Sequence, residues 1–366
     1  MPAHDPLPAQ DQTPAHDSAM MREALVLAAS VRGRTSPNPW VGCVVVPPGD
    51  GPAFEGATEP PGGPHAEAVA LDLAGDQARG STVYVTLEPC AHEGRTPPCA
   101  DALLRAGVRR VVVGVEDPDP RVRGEGIARL RAAGIDVVVG VGRDEVARQL
   151  APYLKHRATG RPWVVLKLAA TLDGATAAPD GSSRWITGPE ARRDAHRLRA
   201  ESDAVLVGAG TVRADDPELT VREVEGHDGR QPLRVVLGTA PAQARIQPAL
   251  ELGGDLGRVL DELGQRGVLQ LLVEGGPSVA HAFHAAGLVD RYVLYLAPAF
   301  AGGSDAKGLF SGPGAENIAE LWRGHISSVT ALGPDLRVDV EALTADATRW
   351  VPGAPADVGA AAAVGA

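Results

Sequence analysis

The sequence predicts two α/β domains in tandem. Its length of 366 residues suffices for two domains at about 100–200 residues each, both with a core of their own. Short β-branched runs alternate with helical patterns along most of the chain, which argues for sheets covered by helices. No fixed-period repeat is visible, and the two blocks join near LKHRATGRP, at about 154–162.

In the first block MREALVLAASV reads as a helix, VGCVVV as a buried strand and AEAVALDLAG as a helix. TVYVTL, RRVVVGV and IDVVVG follow as strands, with helices at CADALLRAG and GEGIARLRAAG between them. In the second block WVVLKLAA, AVLVGA, LRVVLG, LQLLVEGG and RYVLYLAP are strand-like, and helices are expected around ARRDAHRLRAE and PSVAHAFHAAG. Residues 1–18 are polar, rich in Pro and Asp and without period, so a disordered tail is expected there. A second low-complexity tail is expected over 346–366.

Composition narrows the class. Lys plus Arg is 35 and Asp plus Glu is 46, a formal net charge of -11. That sign opposes phosphate backbones and anionic lipid, so neither nucleic acid nor membrane is expected as a partner. Three cysteines cannot form a disulfide framework and suit a reducing compartment. The start MPAHDPLPAQDQTPAHDSAM lacks the basic and apolar regions of a signal peptide. No apolar run approaches the ~18 residues of a spanning helix. The expectation is a cytoplasmic protein, with homo-oligomerisation left open.

Chemistry is densest at PHAE, Pro64–Glu67, and EPCAHEGRTPPC, Glu88–Cys99. His65, Cys90 and Cys99 offer one imidazole and two thiolates, and leave open the fourth tetrahedral position that catalytic zinc requires. Cys99 follows Pro97 and Pro98 where a helix begins, and a helix N-terminus favours the thiolate. Glu67, two residues past His65, is the natural proton shuttle between an attacking water and a leaving amine. The two cysteines taken alone could equally be small core residues, and His65 a surface histidine. Cys43, inside an apolar run, is expected to be a core thiol.

The H-x-E and P-C…C pattern is that of zinc-dependent deaminases. Together with TSPNPWVGCVVV, GGPHAEAVAL and DPDPRVRGEGIARLRAAGIDV, it resembles the deaminase half of the bifunctional riboflavin-biosynthesis deaminase/reductase family. The eight residues between Cys90 and Cys99 set it apart from cytidine and tRNA-adenosine deaminases. The resemblance implies a cytidine-deaminase-like three-layer αβα domain over 19–152. It also implies hydrolytic deamination of a phosphoribosylated diaminopyrimidinone, with Asn38 and Arg95 as substrate contacts. Asn38 between two prolines could also be an ordinary turn residue. The family often has a histidine where this chain has Thr58.

In the second block LKLAATLDGATAAPDGSSRWIT, AVLVGAGTVRADDPELTVR and LQLLVEGGPSVAHAF stand out. Gly208 and Gly210 permit close backbone approach, and a Gly-Gly-Pro-Ser entry to a helix is a ready site for a phosphate. Neither is the G-x-G-x-x-G fingerprint. In this order the segments resemble the reductase half of the same family, implying a dihydrofolate-reductase-like α/β domain over 160–345 that uses NADPH. Carried over, Ala169, Trp185, Thr211, Asp215 and Thr239 would line the cofactor groove. The run Gly276, Pro277, Ser278, Val279, Ala280, His281 and Ala282 would complete it. Ser183, Arg199, Leu219, Arg222 and Glu274 would hold the sugar phosphate and base, with Lys167 beside the ribose. The two arginines suit a phosphate dianion, though in RRDAHRLRAE an arginine could simply be solvated. The segment between Thr239 and Leu269 is shorter than in the family, and position 238 is Gly where the family often has Asp. That shortening points to a reshaped adenine pocket. The alternative is a deaminase whose second domain binds nucleotide without reducing it.

Overall fold

The computed structural model describes residues 13–49, 51–92, 97–342 and 347–352. They divide into two compact units, the first running to Ala158 and taking in the segment from Ala347, the second spanning Thr159–Asp346.

The first unit opens with helix α1, Pro14–Ser30. Thr13 caps it, its hydroxyl accepting from the His16 N–H at 3.2 Å, and Pro14 takes the first helical position, where a missing N–H costs nothing. Met21, Ala24 and Ala28 bury one face of it completely. Strand β1, Gly42–Val46, passes so close beneath that a Cβ on Gly42 would lie 1.9 Å from the Ala24 carbonyl. Then come β2 (Phe54–Ala57), α2 (Ala66–Ala74), β3 (Thr82–Leu87), α3 (Cys99–Ala106), β4 (Arg110–Val115), α4 (Glu125–Ala132), β5 (Asp136–Val139) and α5 (Arg143–Thr159). The sheet runs β2-β1-β3-β4-β5, antiparallel on both sides of β1 and parallel from β3 to β5. Every residue of β3 and β4 is buried, as expected for strands covered on both faces. Cys43 is fully buried in β1 and burial pushes its thiol up.

The tail expected over 1–18 needs correction, because residues 14–18 already belong to α1. Their polarity conceals an anchor. Asp17 accepts both Nη atoms of Arg110, at 2.8 and 2.9 Å, and the Tyr84 hydroxyl at 2.9 Å. Both charged side chains are only 8% exposed. Burial raises the Asp17 pKa, but the hydrogen bonds from Arg110 and Tyr84 outweigh it and hold the carboxyl below its ordinary 3.8. A depressed folded-state pKa stabilises above the unfolded value and ceases to do so as pH falls through the folded one. The stability gap between wild type and Asp17→Asn is therefore expected to be widest near neutral pH and to close below about pH 4, as denaturant melts at stepped pH will show. A gap independent of pH would mean that the pair contributes nothing ionic.

The second unit comprises β6 (Trp163–Thr171), β7 (Ala175–Ala177), α6 (Pro189–Ala200), β8 (Ala204–Gly208), α7 (Ala209–Asp215), β9 (Leu233–Leu237), β10 (Leu250–Leu252) and α8 (Leu256–Gln265). It continues through β11 (Gln270–Val273), α9 (Pro277–Ala285), β12 (Arg291–Ala297), β13 (Lys307–Gly308), β14 (Gly324–Leu332) and β15 (Asp335–Ala342). The main sheet runs β10-β9-β8-β11-β6-β12-β15-β14. Its first six strands are parallel, and β15 and β14 close it antiparallel. Leu166, Leu206, Val235, Leu271, Leu263 and Phe283 meet in the core. The short segment after Thr239 still supplies a parallel strand, β10, and a helix, α8. In the first unit, residues 347–350 form a 3₁₀ turn and Val351 is buried, which corrects the tail expected over 346–366 for that stretch; 346 and 353–366 lie outside the described residues. Among the described residues no helix is long and apolar enough to cross a membrane.

Candidate active sites

In the first unit the expected metal ligands converge. His65 is the N-cap of α2, which puts its ring at the helix entrance and Glu67 in the first turn. Cys99 is the first residue of α3, and Cys90 lies just beyond the end of β3. The His65 Nδ1 stands 3.7 Å from the Cys90 Sγ and 3.3 Å from the Cys99 Sγ. All three ligand atoms fall within 4.8 Å of one another. Zn–S and Zn–N bonds of the usual length demand tetrahedral edges of roughly 3.5–3.8 Å, so the donor set fits zinc.

The electrostatics agree with the donor chemistry. A hydrogen bond from Cys99 leads in lowering the Cys90 thiol to about 4, joined by His65 and by the Cys99 N–H at 3.4 Å, against burial. Cys99, which donates to Cys90 and is itself buried, is pushed up. Glu67 is 4% exposed. Burial, with the Cys90 charge adding to it, raises its carboxyl to about 7, where a group can both take and return a proton at neutral pH.

Glu88 was missed in sequence. Its carboxylate accepts four backbone N–H groups, from Asp117 (3.2 Å), Gly124 (3.0 Å), Gly126 (3.1 Å) and Ile127 (3.3 Å). It thereby pins the turn before Cys90 to the start of α4, where a Cβ on Gly126 would lie 1.8 Å from the Pro89 carbonyl. The only signal available was an acidic residue beside Pro89 and Cys90. Asn38 sits in a turn closed by its own N–H to the Thr35 carbonyl at 2.8 Å and by the Thr35 hydroxyl to its carbonyl at 3.1 Å. Thr58, where the family often has histidine, is buried, its hydroxyl accepting from the Val41 N–H and donating to the Val41 carbonyl. Arg95 lies outside the described residues.

In the second unit a cavity of about 860 Å³ opens where β6, β8 and β11 end, the carboxyl edge at which open α/β sheets bind ligands. Of the expected cofactor residues, Ala169, Trp185, Thr211 and Asp215 line it, as do Gly276–Val279 at the entrance of α9. The Thr211 hydroxyl accepts from the Gly276 N–H at 3.2 Å and so ties α7 to that entrance. Trp185 is 70% exposed, with the Arg192 guanidinium 4.6 Å from its ring centre.

The remainder of the expected run does not line the cavity. Ala280 is fully buried in the core, and His281 and Ala282 follow it away from the lining. A helix turns by about 100° per residue, so only the first turn of α9 faces the cavity. Thr239 is exposed past the end of β9, also outside the lining.

The expected substrate residues Lys167, Ser183, Arg199, Leu219, Arg222 and Glu274 all line the cavity. Arg199 is engaged within the protein: Nε and Nη2 donate to the Glu274 carboxylate at 2.5 and 3.0 Å, and Nη1 donates to the Thr220 carbonyl at 3.2 Å. It is not a solvated surface charge, its side chain being 14% exposed. Lys167 Nζ lies 3.8 Å from the other side of this pair, and burial lowers its pKa. Burial alone would raise the Glu274 pKa, but Arg199 and then Lys167 overcome it and hold the carboxyl at about 2.

Residue types alone did not reveal Arg184, Arg192, Arg245, Lys307 or Glu218 as lining. The lining carries seven cationic side chains against four acidic ones, in a chain of net charge -11. That excess, and the helix entrance beside Thr211, fit an anionic dinucleotide such as NADPH.

Residues 14–115 match the cytidine and deoxycytidylate deaminase zinc-binding region, and 162–338 match the RibD C-terminal domain. The chain thus couples a zinc-binding deaminase domain to a dihydrofolate-reductase-like reductase domain, the fold class expected from sequence. It is 41% identical over 360 residues to riboflavin biosynthesis protein RibD of Escherichia coli, covering 87% of this chain and 98% of that protein. The RibD of Mycobacterium tuberculosis H37Rv is 43% identical over 341 residues, covering 91% and 99%. Among solved structures, RibD of Acinetobacter baumannii superposes with a TM-score of 0.85 at 39% identity, over 90% of this chain and 99% of that one. The Thermotoga maritima diaminohydroxyphosphoribosylaminopyrimidine deaminase/5-amino-6-(5-phosphoribosylamino)uracil reductase gives 0.80 at 33% identity, over the same shares. The chain belongs to the RibD family of riboflavin biosynthesis.

Proposed function

We propose that the first unit deaminates a phosphoribosylated diaminopyrimidinone and that the second reduces the ribosyl chain of the product to ribityl. His65, Cys90 and Cys99 would hold zinc, and Gly276–Val279 with Thr211 would seat NADPH. When bound, zinc supplies Lewis acidity and NADPH the reducing equivalent. In the first unit Glu67 takes a proton from the attacking water and delivers it to the leaving amine, with Asn38 and Arg95 contacting the substrate. In the second, Glu274 is fixed as a carboxylate by Arg199 and faces the Lys167 ammonium, a pair suited to polarising an opened ribose. A cytoplasmic location belongs to the same reading.

The observation that carries the proposal is the meeting of two cysteine sulfurs and an imidazole nitrogen beside one buried carboxyl, Glu67. The strand and helix retained after Thr239 favour an active reductase over a second unit that only binds nucleotide. Mass spectrometry of the product tests both halves. Zinc-replete protein should exchange amino for oxo without NADPH, and add two hydrogens when NADPH is present. An unchanged substrate in both reactions would overturn the proposal, and deamination alone would overturn its second half.

A further inference from the structure

We infer that Tyr295 is a positioning residue of the second unit's site, its ring holding the Lys167 ammonium beside Glu274 and its hydroxyl fixing the ring. The inference deepens the reductase reading of that unit and rests on it. Lys167 carries its charge on a flexible four-carbon stem. Its Nζ lies 3.8 Å from Glu274 Oε2, too far for a hydrogen bond to set its direction. The same Nζ stands over the Tyr295 ring, 5.9 Å from its centre, within range of a cation–π contact. Strand register makes that contact. β12 runs parallel to β6 with Val293 beside Lys167 and Tyr295 beside Ala169, and alternation along a strand puts all four side chains on one face of the sheet.

The ring is held from behind by a buried ionic network. Tyr295 is 1% exposed, and its hydroxyl donates to Asp194 Oδ2 at 2.8 Å. The same oxygen accepts from Arg337 Nη1 at 2.8 Å. Arg337 Nε and Nη2 in turn donate to the Asp339 carboxylate at 2.7 and 2.9 Å, and both aspartates are buried. The network joins α6 through Asp194, β12 through Tyr295 and β15 through Arg337 and Asp339. α6 also carries Arg199, so the anchor of the ring and the principal partner of Glu274 lie on one helix. The groups that face Lys167 are Glu274, Arg199 and the Tyr295 ring. Burial and Asp194 push the phenol up, so the ring stays neutral, and its negative face favours the ammonium without adding a second buried charge.

The chain has three lysines, Lys155, Lys167 and Lys307, so NMR of the full zinc-replete protein with labelled lysine follows each one. Lys167→Arg assigns the signal by removing it. Glu274, held at about 2, and Arg199 keep their charges throughout, so the Lys167 titration midpoint reports on the ring. Tyr295→Leu should lower that midpoint by about one pH unit, while Tyr295→Phe, which keeps the ring, should leave it nearly in place. Reduction should follow the same order: in Tyr295→Leu kcat falls about tenfold with KM for NADPH within about twofold, and Tyr295→Phe restores it. Ammonia release by the first unit should not change in either variant. Should Tyr295→Leu not fold, a ring-fluorinated phenylalanine at the same position keeps the shape and weakens the negative face, and should lower the midpoint relative to phenylalanine. An unmoved midpoint, or an equal fall in Tyr295→Leu and Tyr295→Phe, would overturn the role of the ring. A lowered midpoint with full kcat would overturn its positioning role. Wild-type protein that reduces nothing would overturn the reductase reading instead, and the midpoint would still decide whether the ring holds Lys167.

Discussion

Replacing Glu67 by glutamine is expected to lower ammonia release by about 10²- to 10⁴-fold, the usual worth of a positioned proton-transfer group, while zinc content stays unchanged. The two halves of that expectation come from separate observations. Glu67 is outside the group His65, Cys90 and Cys99 whose ligand atoms come together, so it is not one of the three donors and its replacement leaves them in place. It is also buried and its carboxyl is raised to about 7, so it is positioned to exchange protons and glutamine can replace its bulk without doing so. Parallel measurement of ammonia and of metal by mass spectrometry decides the matter. Zinc lost along with activity would make Glu67 a structural support of the site, and activity within tenfold of wild type would remove it from the mechanism.

Arg199→Ala is expected to destabilise the second unit by about 3–5 kcal/mol, the cost of breaking a buried pair and leaving one charge behind. For a unit of this size that is a fall in melting temperature of roughly 6–20 °C. Glu274 would keep only Lys167, at 3.8 Å, and its carboxyl would lose the first cause of its low pKa. The sign with pH follows. Because the folded pKa of about 2 lies below the ordinary 4.5, the pair stabilises fully above pH 4.5 and ceases to do so as pH falls toward 2. Wild type and variant should therefore converge in acid. Arg199→Lys should not restore stability, since an ammonium cannot make the bidentate contact. A melting temperature within a degree or two of wild type at neutral pH would show that Glu274 finds another partner.

The meeting of His65, Cys90 and Cys99 was legible because each lies at the end of a strand or helix that the local pattern already located, so spacing along the chain approximated proximity in space. Glu88 was not legible, since its partners are backbone N–H groups 29 to 39 residues further on, and main-chain donors leave no trace in residue type. Arg199 shows a different limit. Its chemistry suits a phosphate and a carboxylate equally, and only the fold places Glu274 within 2.5 Å of it. Ala280 was misplaced by treating seven consecutive residues as one lining, when helix rotation turns the fifth into the core. The first turn of α1 was overlooked for the opposite reason, because Asp17 is polar in sequence and buried in the fold, where Arg110 and Tyr84 satisfy it.

The charge of the second unit's cavity bears on how ligands arrive. Seven cations against four anions in its lining, within a chain of net charge -11, set an attractive field inside a repulsive one. A small anion with two or three negative charges is drawn in once it comes within about a Debye length, about 8 Å at physiological salt. A long polyanion cannot place all its phosphates in one cavity and meets the acidic remainder first. The arrangement thus acts as a sieve on encounter rates: capture of a compact phosphorylated metabolite slows as ionic strength rises, whereas the exclusion of extended nucleic acid relaxes.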